Sequence, residues 1–318
     1  MKQSILFFQR ISLLLSAVLL LAGCSGSDSE EQEKGGGSQP EIRFNADVWQ
    51  VMERTRATTF DAGAVNGSFQ VYAYNYDQVS TYITGEIVNY SGGASSWVHP
   101  QFWPDGNGAL DFFAFMPTDL TGTCCSYDYT AYNESTNPDG YSAGTPRIAC
   151  TNLPVSITAG NDATQELVYA YTRNQTKASN GAGVVLTFKR PFARVYLKKA
   201  DGLTGVTINS VTIADIKNNG LCTFNGTTTS WTPSGDDTNL VVTGSPATGD
   251  TPYLVLPQNL GSKTISVNAS WSSWSSVPAV VSTTLNLGSW EAGYSYTYTF
   301  TLKDEALIVN VEKFTEQW

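Results

Sequence analysis

The chain has 318 residues, a formal net charge of −10 and a sequence pI near 4.6, with 14% charged and 12% aromatic residues. So acidic a chain has no basic patch to meet a phosphate backbone, which argues against a nucleic-acid partner. Its aromatic content is not that of a disordered protein, and its wealth of Ser, Thr, Gly, Asn and Tyr suits an extracellular β protein.

The chain opens on Lys2 and Arg10, followed by the apolar stretch Ile11 to Leu21. That stretch is shorter than the about 20 apolar residues a membrane-spanning helix needs. A short apolar core ending in small residues predicts a cleaved export signal over residues 1–23. Its end, Leu21-Ala22-Gly23-Cys24, resembles the bacterial lipobox, which implies a diacylglyceryl group on the Cys24 thiol. The blander reading is an ordinary signal peptide with a chance cysteine. Residues 24–40 have no large apolar side chain to bury and are predicted to be a disordered tether. Their acidic run resembles the surface-export signal of Bacteroidetes lipoproteins, while a plain solvated linker would leave the protein facing the periplasm.

The roughly 280 residues that follow suffice for two ordinary domains. Period-2 alternation dominates them. Ile42, Phe44, Ala46 and Val48 alternate with polar residues, as do Phe69, Val71 and Ala73, then Val195 and Leu197, then Ile265, Val267, Ala269 and Trp271. The cleanest case is Tyr294, Tyr296, Tyr298, Phe300 and Leu302, spaced by Ser and Thr. Such patterns predict strands with one buried face. The continuous apolar runs Phe112 to Met116 and Tyr253 to Leu256 fit central strands. Turn signals such as Pro104-Asp105-Gly106 and Asn218-Asn219-Gly220 punctuate the pattern. A short helix is expected near Asp47 to Glu53, and a long surface loop from Thr118 to Thr145. Many short strands and frequent turns predict an all-β chain of two β-sandwich domains, 41–182 and 183–318, divided at the polar stretch before Val184.

Catalytic chemistry is scarce. His99 is the single histidine, so any Ser-His-Asp triad would have to use it. Gly140-Tyr141-Ser142-Ala143-Gly144 matches G-x-S-x-G, but no strand precedes it and no helix follows, so it reads as chance. Asp105, Asp111, Asp139, Asp236 and Asp237 read as solvated turn residues. No cofactor motif is present and no enzyme is expected. Beyond Cys24 there are Cys124, Cys125, Cys150 and Cys222; no C-x-x-C pair exists, so no metal site is expected. An exported chain permits disulfides, with one of Cys124 or Cys125 pairing with Cys150. Trp97, Trp103, Trp231, Trp271 and Trp274 could stack on sugar rings, but core or edge packing is the preferred reading.

Several segments, in order, resemble the fimbrillin superfamily of Bacteroidales type V pilus subunits. They are Phe69-Gln70-Val71-Tyr72-Ala73-Tyr74, Trp103-Pro104 with Leu110 to Pro117, Leu186 to Val195, Leu254-Val255-Leu256-Pro257-Gln258, and Trp290 to Tyr296. The resemblance implies two tandem transthyretin-like β-sandwich domains and a role in pilus assembly and adhesion at the outer membrane and cell surface. Partners would be other pilus subunits, outer-membrane lipid through Cys24 before maturation, and a ligand on a host or bacterial surface. It also implies a cut after an arginine behind the first strand. Arg56-Ala57 fits best, with Arg54-Thr55 as the fallback, against the blander reading of ordinary loop arginines. The strand carrying Ile42, Phe44, Ala46 and Val48 would then be displaced. The C-terminal run with Leu307, Val309 and Val311 would either be the donor that replaces it in a neighbour or the last strand of its own domain. Two other readings stand beside the pilus subunit: a fimbrillin-like anchor that is never cut, and a glycan-binding surface lipoprotein.

Overall fold

The computed structural model describes residues 39–48, 67–75, 80–91, 93–106, 108–121, 123–128, 146–159, 167–225, 228–271, 279–303 and 306–317. Every regular element among them is a β-strand. Residues 39–318 form one compact unit. The last residues of the expected tether, 39 and 40, belong to this unit, where Trp103 N donates to Pro40 O (3.1 Å).

Five strands make the first large sheet, in the order β4 (Ala94–Trp97), β3 (Ser80–Ser91), β2 (Gly67–Asn75), β5 (Leu110–Met116), β9 (Val168–Gln175). One face packs on a two-stranded parallel sheet of β1 (Phe44–Val48) and β10 (Val184–Phe188). Phe69, Val71 and Ala73 of β2, Leu110 and Phe112 of β5, and Val184, Leu186 and Phe188 of β10 share that core. Strand β10 lies just beyond the boundary drawn at 182/183, yet its inward residues complete the first core. The polar stretch before it is a turn within that sandwich, closed by Gly183 N donating to Asn180 O (2.9 Å).

The other face of the same sheet is also covered. A sheet in the order β14 (Thr228–Ser234), β13 (Asn219–Asn225), β7 (Arg147–Cys150), β6 (Cys125–Asp128) packs there. Phe113 and Phe115 of β5 and Tyr169 of β9 meet Ile148, Cys150, Cys222 and Phe224 in this middle core. Both faces of β5 are therefore dry, which explains an apolar run where half-buried strands alternate. Asp111, expected to be solvated, is 1% exposed on this strand. It accepts from Arg173 Nε (3.3 Å), Asn174 N (2.7 Å) and the Tyr171 hydroxyl (3.3 Å). The expected loop from Thr118 to Thr145 contains β6, whose Tyr127 stacks on Phe113 with centroids 4.9 Å apart.

The C-terminal sandwich joins two further sheets. One runs β18 (Ala279–Trp290), β17 (Gln258–Trp271), β12 (Val206–Ile216), β15 (Thr238–Thr243), β8 (Ser156–Thr158). The other runs β16 (Thr248–Val255), β11 (Ala193–Lys199), β19 (Tyr294–Lys303), β20 (Ala306–Gln317). The Tyr ladder of β19 points inward, with Tyr296, Tyr298 and Phe300 buried beside Trp290. The Tyr298 hydroxyl accepts from Trp290 Nε1 (2.8 Å). Strand β16 is an edge strand, not the central one its apolar run suggests. Its residues are buried on both faces because Tyr253 and Val255 enter the C-terminal core while Leu254, with Leu256 just beyond the strand, enters the middle core. Instead of the short helix expected near Asp47, Asp47 and Val48 continue β1 in register with Thr187 and Phe188; residues 49–53 lie outside the described residues.

Candidate functional site

Strand β1 and the groove that holds it form the candidate site. Along one edge β1 pairs with β10 in parallel, from Phe44 opposite Val184 to Val48 opposite Phe188, and Val184 N donates to Arg43 O (2.7 Å). Along the other edge it meets no regular strand partner among the described residues. Instead, Ile42 N donates to Gln101 O (2.8 Å), Trp97 Nε1 donates to Ile42 O (2.5 Å) and Phe44 N donates to Ser95 Oγ (2.9 Å). Glu41 and Phe102 form a single antiparallel bridge, and Gln39 Nε2 donates to Asp105 Oδ1.

The inward side chains follow the alternation read from the sequence. Ile42 and Phe44 are 0% and 1% exposed, and Ala46 packs partly buried against the same core. The Phe44 ring sits in an aromatic box, with centroids 5.4 Å from Phe112, 5.3 Å from Trp97 and 5.9 Å from Phe69. Edge-to-face packing of this kind favours the ring beyond its buried area. The outward face is polar: Arg43 lies 3.8 Å from Glu41, and Asn45 Nδ2 donates to Ala182 O (3.0 Å).

Gly183 makes the close approach. Its φ is +113°, and a Cβ there would lie 3.2 Å from Arg43 O. A side chain would crowd the passing backbone of β1 in a conformation L residues rarely adopt, so both counts favour glycine.

The receiving residues Ser95, Trp97, Gln101, Trp103 and Gly183 were not legible as a site. Only the tryptophans carried a signal, and it pointed to sugar stacking or packing. Trp97 and Trp103 are buried in the first core. Trp231 donates to Pro191 O (2.6 Å), packs against Phe192 and lines a cleft of about 950 Å³ with Tyr171 and Tyr294. The side chain of Trp271, and all of Trp274, lie outside the described residues.

Strand β20 carries Leu307, Val309 and Val311. It is the edge strand next to β19, antiparallel, with Leu302 opposite Leu307 and Thr301 opposite Ile308. Cys24, Arg54, Thr55, Arg56, Ala57 and the segment from Gly140 to Gly144 lie outside the described residues. His99 is exposed, its Nδ1 3.0 Å from Glu86 Oε2.

Solved structures share this fold. A fimbrial protein from Bacteroides vulgatus ATCC 8482 superposes with a TM-score of 0.58 at 14% identity, covering 88% of this chain and 100% of that one. A candidate cell adhesion protein from Bacteroides ovatus ATCC 8483 gives 0.52 at 16%, covering 88% and 98%. Another from Bacteroides uniformis ATCC 8492 gives 0.51 at 15%, covering 88% and 99%. No curated protein matches by sequence. The sequence profile described as fimbrillin-like matches residues 55–318, beginning beyond β1, and the chain belongs to that family.

Proposed function

We propose that this chain is a pilus subunit, exported as a lipoprotein precursor held on Cys24, cut after Arg56 and assembled by strand exchange. The observation that carries this reading is the lodging of β1. It fills a hydrophobic groove with Ile42 and Phe44, yet among the described residues a five-residue ladder to β10 is its only regular pairing. Burial of those two side chains is worth roughly 3–6 kcal/mol. A cut between β1 and β2 leaves that interaction intact but converts it from intramolecular to bimolecular, so the strand becomes exchangeable. Its departure bares an apolar groove and the free edge of β10, which a strand from another subunit repairs by β-augmentation.

The donor in this proposal is the C-terminal run, whose Leu307, Val309 and Val311 repeat the spacing of Ile42, Phe44 and Ala46. In the single chain that run is the edge strand of its own sheet, so donation requires its release from β19. Lipid on Cys24 is then a temporary hold, discarded with β1 at maturation. The test is limited digestion of the purified precursor with an arginine-specific protease. The expected result is a new N-terminus at Ala57, or at Thr55 for the fallback, followed by ladders of bands that resist SDS. A chain that is cut there yet never forms ladders overturns polymerisation. A cell-surface form whose N-terminus is still lipidated Cys24 supports the uncut anchor instead. The glycan-binding alternative loses Trp97, which is buried, and would rest on Trp231 at its cleft.

A further inference from the structure

The middle core holds a chemistry that strand exchange does not use. Cys124, Cys125 and Cys150 bring three sulfur atoms within 4.8 Å of one another. Cys124 Sγ lies 3.6 Å from Cys125 Sγ and 3.4 Å from Cys150 Sγ. The backbone creates this convergence. Cys125 sits directly across the β6–β7 ladder from Cys150, and the next pair outward is hydrogen-bonded, Thr151 N donating to Cys124 O (2.8 Å). Cys125 and Cys150 therefore occupy a non-hydrogen-bonded pair, where side chains of opposed strands approach most closely. Cys222 lies in the same core on β13, opposite Ile148, outside the three.

Three thiols are one more than a disulfide uses and one fewer than a closed zinc site uses. The surroundings decide between these chemistries. Phe115, Ile148 and Leu153 share this core, an apolar setting in which a trithiolate–metal centre would bury net negative charge. A disulfide beside a neutral thiol buries none. The three differ in access: Cys125 and Cys150 are buried, whereas Cys124 is partly exposed. They differ in acidity as well. Hydrogen bonds from Cys125 and then Cys150 lower the pKa of the Cys124 thiol, and donating to Cys124 raises that of Cys150. The accessible sulfur is thus also the nucleophilic one.

We propose that these residues form a thiol–disulfide exchange centre in which Cys124 reacts with an external disulfide, Cys150 traps it as an internal Cys124–Cys150 bond, and Cys125 remains reduced beside it. The Cys124 thiolate attacks one sulfur of R–S–S–R, forming Cys124–S–S–R and releasing R–S⁻. Cys150 then attacks the Cys124 sulfur, the internal bond forms, and the second R–S⁻ leaves. The two cysteine protons end on the two leaving thiolates, so two cysteines are oxidised and one external disulfide is reduced to two thiols. The bond ties the start of β6 to the end of β7, which pairs in turn with β13 from the C-terminal half of the chain.

The test uses full-length protein with Cys24→Ser, so that the tether adds no thiol, reduced and then treated with oxidised glutathione. The expected product is lighter by two hydrogens, with Cys125 still open to alkylation after denaturation. Cys150→Ala is expected to stop at a stable glutathione adduct on Cys124, Cys125→Ala to close the same bond, and Cys222→Ala to behave as the parent. Brief alkylation of the folded parent, read by fragmentation mass spectrometry, is expected to mark Cys124 first, and it answers the same question if a variant does not fold. A Cys124→Ala variant that closes an internal bond as fast as the parent, or first label on Cys125, overturns the proposal. So does a chain that binds one equivalent of zinc through the three thiols and resists oxidation. The outcome is independent of whether Arg56 is cut.

Discussion

Two buried side chains, Phe44 and Asp111, give the first sandwich its single-residue tests. Phe44 is wholly buried against Phe112, Trp97 and Phe69. Truncation to alanine removes the ring and leaves a cavity, at a cost of about 3–5 kcal/mol. Phe44→Ala is expected to lower the denaturant midpoint of the uncut precursor by that free energy while leaving the cut protein, stripped of β1, unchanged. Equal loss in both forms would show that the ring acts elsewhere. Asp111 is the second. With one buried carboxylate accepting from the partly exposed Arg173, from Asn174 N and from Tyr171, Asp111→Ala removes the acceptor these donors share and is expected to cost about 1–3 kcal/mol in both forms. Thermal melts before and after digestion separate the two cases. The alternation Ile42, Phe44, Ala46 marked the inward face of β1 plainly, because a period of two needs only local sequence. Asp111 was illegible for the opposite reason: its partners are 60 to 63 residues away and only the second cover on β5 makes it dry.

Among elements, β1 was legible as a strand but its pairing with β10 was not, since nothing local specifies a parallel pairing across the residues between them. Gly183 is the hinge of that pairing. Gly183→Ala sets a Cβ against Arg43 O in a backbone conformation L residues avoid, a strain of about 1–3 kcal/mol. After digestion, this variant is expected to release β1 faster than the parent, measured by the appearance of the free N-terminal peptide on size exclusion. An unchanged release rate would mean that the contact yields without cost. The proposed cut falls in the segment between β1 and β2. Arg56→Ala is expected to move cleavage to Arg54, and the double variant Arg54→Ala with Arg56→Ala to abolish it, as read by N-terminal mass. Persistent cleavage near this point in the double variant would sink the arginine assignment.

For the whole molecule, composition and strand pattern sufficed for an all-β fold, and the ordered segments from Phe69 to Tyr296 sufficed for the family. The layering was hidden. The sequence divides neatly at a polar turn, whereas the middle sheet takes β6 and β7 from one side of that turn and β13 and β14 from the other. Sheet partnership follows long-range burial, which a linear pattern does not record. The proposed lipid on Cys24 also acts at this scale. Cys24→Ser is expected to move the precursor from the detergent-rich to the aqueous phase on Triton X-114 separation without changing its melting temperature. A precursor that partitions identically with either residue carries no lipid there.

The sheet holding β5 is clad twice, by β1 and β10 on one side and by the middle sheet on the other. Losing β1 strips only part of one cladding. Behind it, Phe113, Phe115 and Tyr169 stay packed, so the groove opens on a wall braced from the rear rather than on a collapsing core. Under the proposed exchange, such a subunit is expected to keep its shape between loss of its own strand and arrival of a neighbour's. Amide hydrogen exchange makes the point measurable: after the cut, protection is expected to fall along β10 and to persist along β5.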